Sequence, residues 1–162
     1  MAIVLREEGL YKRTQIYATD LSAHAIAQAK QGMYAASQLP LFARNYDRAG
    51  GHGSLSQYLC EGYDGFTIRE SLRSQILFFQ HNLAADHTFG EMHVIFCRNV
   101  LIYLGDELRV GVLERLSDSL VSGGFLCLGK SERLLERGPR KFTTFAAEQR
   151  IYRHEQPSTS SP

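Results

Sequence analysis

Residues 92–99, Met-His-Val-Ile-Phe-Cys-Arg-Asn, decide the fold. The first six, 92–97, are apolar through their middle, which predicts a β-strand covered on both faces. Leucine and valine then recur every fourth position, which predicts an amphipathic helix packed on a sheet: Leu104, Leu108, Val112, Leu116, Leu120. Gly123-Gly124 is expected to end this helix, and the apolar run 125–128 predicts the next strand. This strand–helix–strand order favours a parallel sheet.

The same alternation occurs nearer the N-terminus. Residues 15–20 predict a short buried strand that ends at Asp20, and Ser22 is placed to cap a helix over 23–31. A further strand is predicted over 75–81. Together with the central stretch, these elements predict an α/β domain.

Three regions depart from this alternation. Residues 33–73 are rich in glycine and predict helical turns followed by a small antiparallel hairpin, an inserted β-subdomain at about 41–73. Phe142–Phe145 and Arg150–Tyr152 predict a closing antiparallel pair. The tail at 156–162 is polar and proline-containing, and is expected to be disordered.

Composition narrows the class of protein. The 162 residues carry 18 Lys+Arg and 17 Asp+Glu, and this net charge of +1 provides no field that would attract nucleic acid. No apolar run reaches the roughly 20 residues of a membrane-spanning helix, so no membrane insertion is expected. Three scattered cysteines show neither a disulfide framework nor metal-ligand spacing, which favours a cytoplasmic protein without a metal site.

Polar groups stand at the predicted carboxyl ends of three strands, where open α/β sheets bind ligands. Asp20 suits the hydroxyls of a ribose, or else it caps the helix behind it, and the spacing favours neither reading. Asn82 suits an adenine edge or simply begins a loop. Arg98 interrupts an apolar stretch and needs solvent or a partner, and Tyr103 presents its hydroxyl at the same rim or is a core tyrosine.

Five stretches carry a family resemblance: Ile16-Tyr17-Ala18-Thr19-Asp20, Ala29-Lys30-Gln31-Gly32-Met33-Tyr34, His81-Asn82-Leu83, Ile95-Phe96-Cys97-Arg98-Asn99-Val100-Leu101-Ile102-Tyr103 and Gly129-Lys130-Ser131-Glu132. They resemble the CheR-type chemotaxis receptor methyltransferases over nearly the whole chain to about Tyr152. The run at 96–103 is the most specific of the five.

The resemblance implies a Rossmann-like class I methyltransferase sheet, incomplete at its N-terminus, with the small inserted antiparallel β-subdomain. It implies a catalytic domain over 1–155 that uses S-adenosyl-L-methionine, releases S-adenosyl-L-homocysteine, and O-methylates glutamates on the cytoplasmic region of chemoreceptors. The β-subdomain would dock on the receptor. The family's glycine-rich first motif and helical N-terminal domain have no counterpart here, so a truncated catalytic domain is expected.

The resemblance also implies roles for individual residues. Asp20 would bind the cofactor ribose, and Asn82 with Leu83 would line the adenine. Cys97 and Arg98 would border the methionine end of the cofactor. Tyr103 would face the transferred methyl group. Arg98 is a second catalytic candidate on chemical grounds, because its charge would orient an acceptor carboxylate.

Two other functions stay open at this point. The chain is a catalytically inactive receptor-docking module if the missing glycine motif has cost it catalysis. It is a related small-molecule methyltransferase if residues 33–73 form a substrate lid instead.

Overall fold

The computed structural model describes residues 1–86, 88–135, 137–139 and 141–155. They form two compact units, residues 1–82 and the chain from Leu83 onward. The helices and strands of the first unit are α1 (Ala2–Glu7), β1 (Ile16–Asp20), α2 (Ala23–Gln31), β2 (Met33–Ala35), α3 (Leu39–Arg48), β3 (Leu59–Gly62), β4 (Gly65–Ile68), α4 (Glu70–Arg73) and β5 (Ile76–Gln80). Those of the second are β6 (Met92–Cys97), α5 (Asp106–Ser119), β7 (Leu120–Leu128), β8 (Phe142–Ala146) and β9 (Ile151–His154).

In the first unit, β1 and β5 form a parallel pair that runs from Ile16 opposite Ile76 to Asp20 opposite Gln80. Helix α2 follows β1 with the predicted boundaries, because Ser22 accepts a hydrogen bond from the Ala25 amide and Gly32 closes the helix in a left-handed conformation at φ 61°. The predicted β–α–β alternation of this unit is therefore confirmed.

A second sheet of the first unit has the strand order β2–β4–β3 and is antiparallel throughout. Its core is aromatic, since the Phe66 ring stacks on Tyr34 and meets Phe42 edge-on. The predicted hairpin is confirmed as β3 and β4. The sheet also includes Met33–Ala35, which precedes the expected start of the subdomain near residue 41.

The second unit is a four-stranded sheet in the order β6–β7–β9–β8, with β6 and β7 parallel and the other pairs antiparallel. Helix α5 buries one face on this sheet. The core comprises Cys97, Leu101, Val112, Leu113, Leu116, Leu120, Leu126, Leu128 and Tyr152. The predicted closing antiparallel pair is confirmed as β8 and β9.

The prediction that the strands at residues 15–20 and 92–97 are fully buried was wrong. Successive side chains of a strand point to opposite faces, and only one face of each strand is packed here. In β6, Cys97 lies in the core while Val94 and Phe96 are 46% and 53% exposed. In β1, Tyr17 is 42% exposed.

The predicted end of the long helix was also wrong. Helix α5 ends at Ser119 and β7 begins directly at Leu120, so Gly123 lies inside the strand, at φ 80°. The pairing register of β6 and β7 shifts in this region, and glycine permits the irregular backbone. No helix among the described residues is long and apolar enough to cross a membrane. The tail at 156–162 lies outside the described residues.

Candidate functional site

Asp20 ends β1 with an exposed side chain. Its Oδ1 accepts a hydrogen bond of 2.7 Å from the Ser22 amide, and Ser22 Oγ accepts one of 3.3 Å from Ala25. The helix-start role that the sequence allowed for Asp20 is therefore present. It occupies one carboxylate oxygen, and the described residues place no hydrogen bond on Oδ2.

Asp20 and Asn82 lie at neighbouring strand ends in the first unit. The Asp20 carbonyl accepts a hydrogen bond of 2.9 Å from the amide of His81, which directly precedes Asn82. Gln80 adds a hydrogen bond of 3.1 Å from its side-chain amide to the Leu21 carbonyl. Asp20 offers an exposed carboxylate that accepts from hydroxyls, and Asn82 offers an amide that both donates and accepts. This is the chemistry that the ribose and the adenine of a nucleoside require.

Cys97 and Arg98, at the end of β6, differ sharply in environment. Cys97 is buried, and burial with the nearby negative charge of Glu132 raises the pKa of its thiol to about 12. Burial also raises the pKa of the Cys127 thiol, against a smaller opposing effect of the Arg98 charge. Both thiols are therefore neutral and are not nucleophiles. Arg98 itself is exposed.

The backbone that follows Arg98 is bound to the buried carboxylate of Glu132. Its Oε2 accepts hydrogen bonds from the amides of Asn99 at 2.9 Å and Gly129 at 2.6 Å. Its Oε1 accepts from Val100 at 2.8 Å and Leu101 at 2.7 Å. One side chain thus joins the carboxyl ends of the parallel strands β6 and β7.

The pKa of Glu132 is lowered from its ordinary value. Burial alone would raise it, but the four backbone amides stabilise the ionised form and together outweigh burial. The carboxylate is therefore ionised at neutral pH.

Tyr103 ends a short 3-10 helix, Leu101–Tyr103, that begins at this carboxylate. Leu101 is 1% exposed and anchors the turn, whereas Tyr103 is 81% exposed. Arg109 of α5 donates to the Leu101 carbonyl at 3.2 Å and to the Leu104 carbonyl at 3.1 Å. The alternative that Tyr103 is a core tyrosine is therefore wrong, because the buried residue of this turn is Leu101.

Leu83 begins the second unit and packs partly buried against its core. Its carbonyl accepts a hydrogen bond of 3.2 Å from Arg115 of α5, and the next carbonyl, of Ala84, accepts one of 2.6 Å. The backbone after Asn82 is thereby fixed to α5.

Sequence reasoning did not assign roles to Glu132 and Arg109. Glu132 stands 31 residues beyond Leu101, and nothing in its local sequence shows that it is buried. The available signal was its place just after a strand, next to Gly129, in one of the stretches that carry the family resemblance.

Comparison with known proteins identifies a family. The sequence profile of the CheR methyltransferase, SAM binding domain, matches residues 1–151. This match confirms the predicted cofactor, S-adenosyl-L-methionine, and the Rossmann-like methyltransferase fold.

Several curated proteins are similar to the chain. Cher3 of Pseudomonas putida, whose name places it among methyltransferases, is 40% identical over 94% of this chain and 56% of its own length. A chemotaxis protein methyltransferase of Vibrio parahaemolyticus is 31% identical over 80% of this chain and 45% of its own length. Chemotaxis protein methyltransferase 1 of Pseudomonas aeruginosa is 34% identical over 74% and 42%. The chain thus spans about half the length of these relatives.

Proposed function

Since the chain belongs to the CheR methyltransferase family, we propose that it is part of an enzyme that O-methylates glutamate side chains on the cytoplasmic region of chemotaxis receptors. The observation that carries this proposal is the exposure of Tyr103, whose side chain is 81% exposed in the turn that follows β6. Two curated relatives are named chemotaxis protein methyltransferases, which supports receptors as the substrate.

We assign the cofactor contacts to Asp20, Asn82, Leu83, Cys97 and Arg98. Asp20 Oδ2 accepts from ribose hydroxyls, and a charge-assisted bond of this kind is stronger than a neutral one. The neutral thiol of Cys97 offers apolar packing and a weak donor to the methionine end. When bound, S-adenosyl-L-methionine supplies an activated methyl group on a sulfonium centre.

Tyr103 and Arg98 are the proposed catalytic residues. A glutamate acceptor has an ordinary pKa near about 4.3, so it is ionised at neutral pH and needs no general base. The task left to the protein is to orient the carboxylate and exclude water. The exposed Arg98 guanidinium attracts the acceptor charge, and the Tyr103 hydroxyl positions one oxygen without neutralising it.

The proposed catalytic domain covers 1–155. The inserted subdomain at about 41–73, whose hairpin β3–β4 pairs with the preceding strand β2, is proposed to dock on the receptor. We also propose that the active enzyme is longer than this chain and is cytoplasmic. In support of the greater length, β1 pairs only with β5 and β6 only with β7 among the described strands. Both edges of the β1–β5 pair and the outer edge of β6 are therefore without a described partner strand.

A methyl-transfer assay tests the proposal. The full-length gene product is incubated with methyl-labelled S-adenosylmethionine and the purified cytoplasmic fragment of a chemoreceptor from the same organism. We expect label on the receptor that alkali releases as methanol, the signature of a glutamyl ester. A receptor fragment in which the acceptor glutamates are replaced by alanine is the control. Receptor binding without methylation would identify a catalytically inactive docking module instead. Methyl transfer only to small molecules would identify a small-molecule methyltransferase.

A further inference from the structure

We propose that Glu132 is the positioning residue of the site: its carboxylate fixes residues 98–103, the segment that carries Arg98 and Tyr103. The effect of Glu132 on catalysis rests on the proposed function. Its hold on the segment rests only on the geometry of the second unit.

The carboxylate is fully used by the backbone. Each oxygen accepts two amide hydrogen bonds, within 2.6–2.9 Å, and three of the four donors belong to consecutive residues, Asn99, Val100 and Leu101. Glu132 is 4% exposed. It therefore meets the hydrogen-bonding needs of a turn that leaves the sheet and has no strand partner of its own.

Two neighbouring features show that this turn is shaped around the carboxylate. Asn99 adopts a left-handed backbone at φ 58°, a conformation that costs most residues free energy but that asparagine tolerates. At Gly129, a Cβ would lie 2.6 Å from Glu132 Oε2 and 2.8 Å from Asn99 Oδ1, so only glycine fits. The turn and the carboxylate thus form one interlocked unit.

Positioning matters because the reaction proposed here depends on alignment. The Tyr103 side chain is exposed and receives no rigidity from core packing, so its place is set by the backbone from Asn99 to Leu101. Arg109 also donates hydrogen bonds to carbonyls of this turn, at Leu101 and Leu104. Glutamine at position 132 would turn an amide NH₂ toward two backbone donors and release them.

The primary test is Glu132→Gln in the full-length gene product, with Glu114→Gln as the matched control, since Glu114 is exposed on α5. Amide hydrogen exchange is read residue by residue. We expect exchange at 99–101 and 129 to quicken by at least about tenfold in Glu132→Gln, while the core of β7 stays protected. Unchanged exchange at these four amides would overturn the proposal.

Comparing kcat with cofactor affinity distinguishes a positioning role of Glu132 from a purely structural one. We expect Glu132→Gln to lower kcat about 10–100-fold while the affinity for S-adenosylhomocysteine changes little. In that background, Tyr103→Phe should lower kcat by a smaller factor than in the wild type, because the hydroxyl is already misplaced. Equal factors in both backgrounds would overturn the catalytic consequence.

If Glu132→Gln does not fold, an NMR pH titration of the wild-type protein replaces it. The amide resonances of residues 99–101 and 129 should then shift together, with one pKa below the ordinary value for glutamate. Independent shifts of these four resonances would overturn the proposal. If the full-length protein methylates no receptor, the proposed function fails, but the exchange result still supports or overturns Glu132 as the group that fixes the segment.

Discussion

The ends of β1 and β6 are held in opposite ways. Asp20 at the end of β1 is exposed and is fixed by a neighbour two residues away, Ser22, within a helix start. The backbone after β6 is fixed by a buried carboxylate that lies about 30 residues further along the chain, Glu132. One strand end is a local capping structure, and the other depends on tertiary contact.

This difference matches the work proposed for each end. A ribose needs an accessible acceptor, which an exposed carboxylate on a short turn provides. An acceptor carboxylate in a displacement reaction needs groups held at defined positions, and such positions are better fixed by buried hydrogen bonds than by an exposed loop. Because the β6 end has the larger interlocked network, it should be the more sensitive to substitution.

The largest effect on stability is expected for Gly129→Ala. The added Cβ must displace either the Glu132 carboxylate or Asn99, so we predict a loss of about 2–3 kcal/mol from the second unit. Native-state hydrogen exchange of β7 and β9 in the full-length protein measures it. Gly111→Ala is the control: nothing lies within 4 Å of that Cβ in the middle of α5, and a gain of about 0.5–1 kcal/mol is expected. An equal change in stability for both substitutions would contradict the interlocked network around Glu132.

The second prediction concerns pH. Folding lowers the pKa of Glu132 below its unfolded value of about 4.5. The ionised carboxylate therefore contributes its full stability above pH 4.5, and this contribution is lost as the pH falls through the pKa of the folded state. The stability difference between wild type and Glu132→Gln should therefore shrink below pH 4.5. Denaturant unfolding at several pH values measures the difference. A gap that widens in acid would contradict the lowered pKa, and Glu114→Gln should show no such trend.

A smaller and more local effect is expected at the β1 end. Ser22→Ala removes the cap of α2, which should cost about 1 kcal/mol and be confined to the first unit. Ser22→Thr, which keeps the hydroxyl, should recover most of the loss. Hydrogen exchange in α2 and in β7 reports the two units separately. A matching loss in β7 would show that the two strand ends are not independent.

The contrast also explains how far sequence reasoning reached. The helix over 23–31 and its cap at Ser22 were predicted with the observed bounds, because capping depends on neighbours in sequence. Three other features were not predicted, because each depends on contacts between residues distant in sequence. They are the β2–β4 pairing, the direct passage from α5 into β7 and the burial of Glu132. The sequence selected Tyr103 as a candidate, but it could not show that Tyr103 is exposed while Leu101 of the same turn is buried.

Calorimetric titration of the full-length protein with S-adenosylhomocysteine tests the central claim, that Asp20 serves the cofactor and Tyr103 the acceptor. Asp20→Ala should weaken binding by about 1–3 kcal/mol through loss of charge-assisted hydrogen bonds, with Asp64→Ala in the exposed β3–β4 turn as control. Tyr103→Phe should bind like the wild type. Wild-type affinity in a folded Asp20→Ala protein, or an equal loss in Tyr103→Phe, would contradict this division of roles.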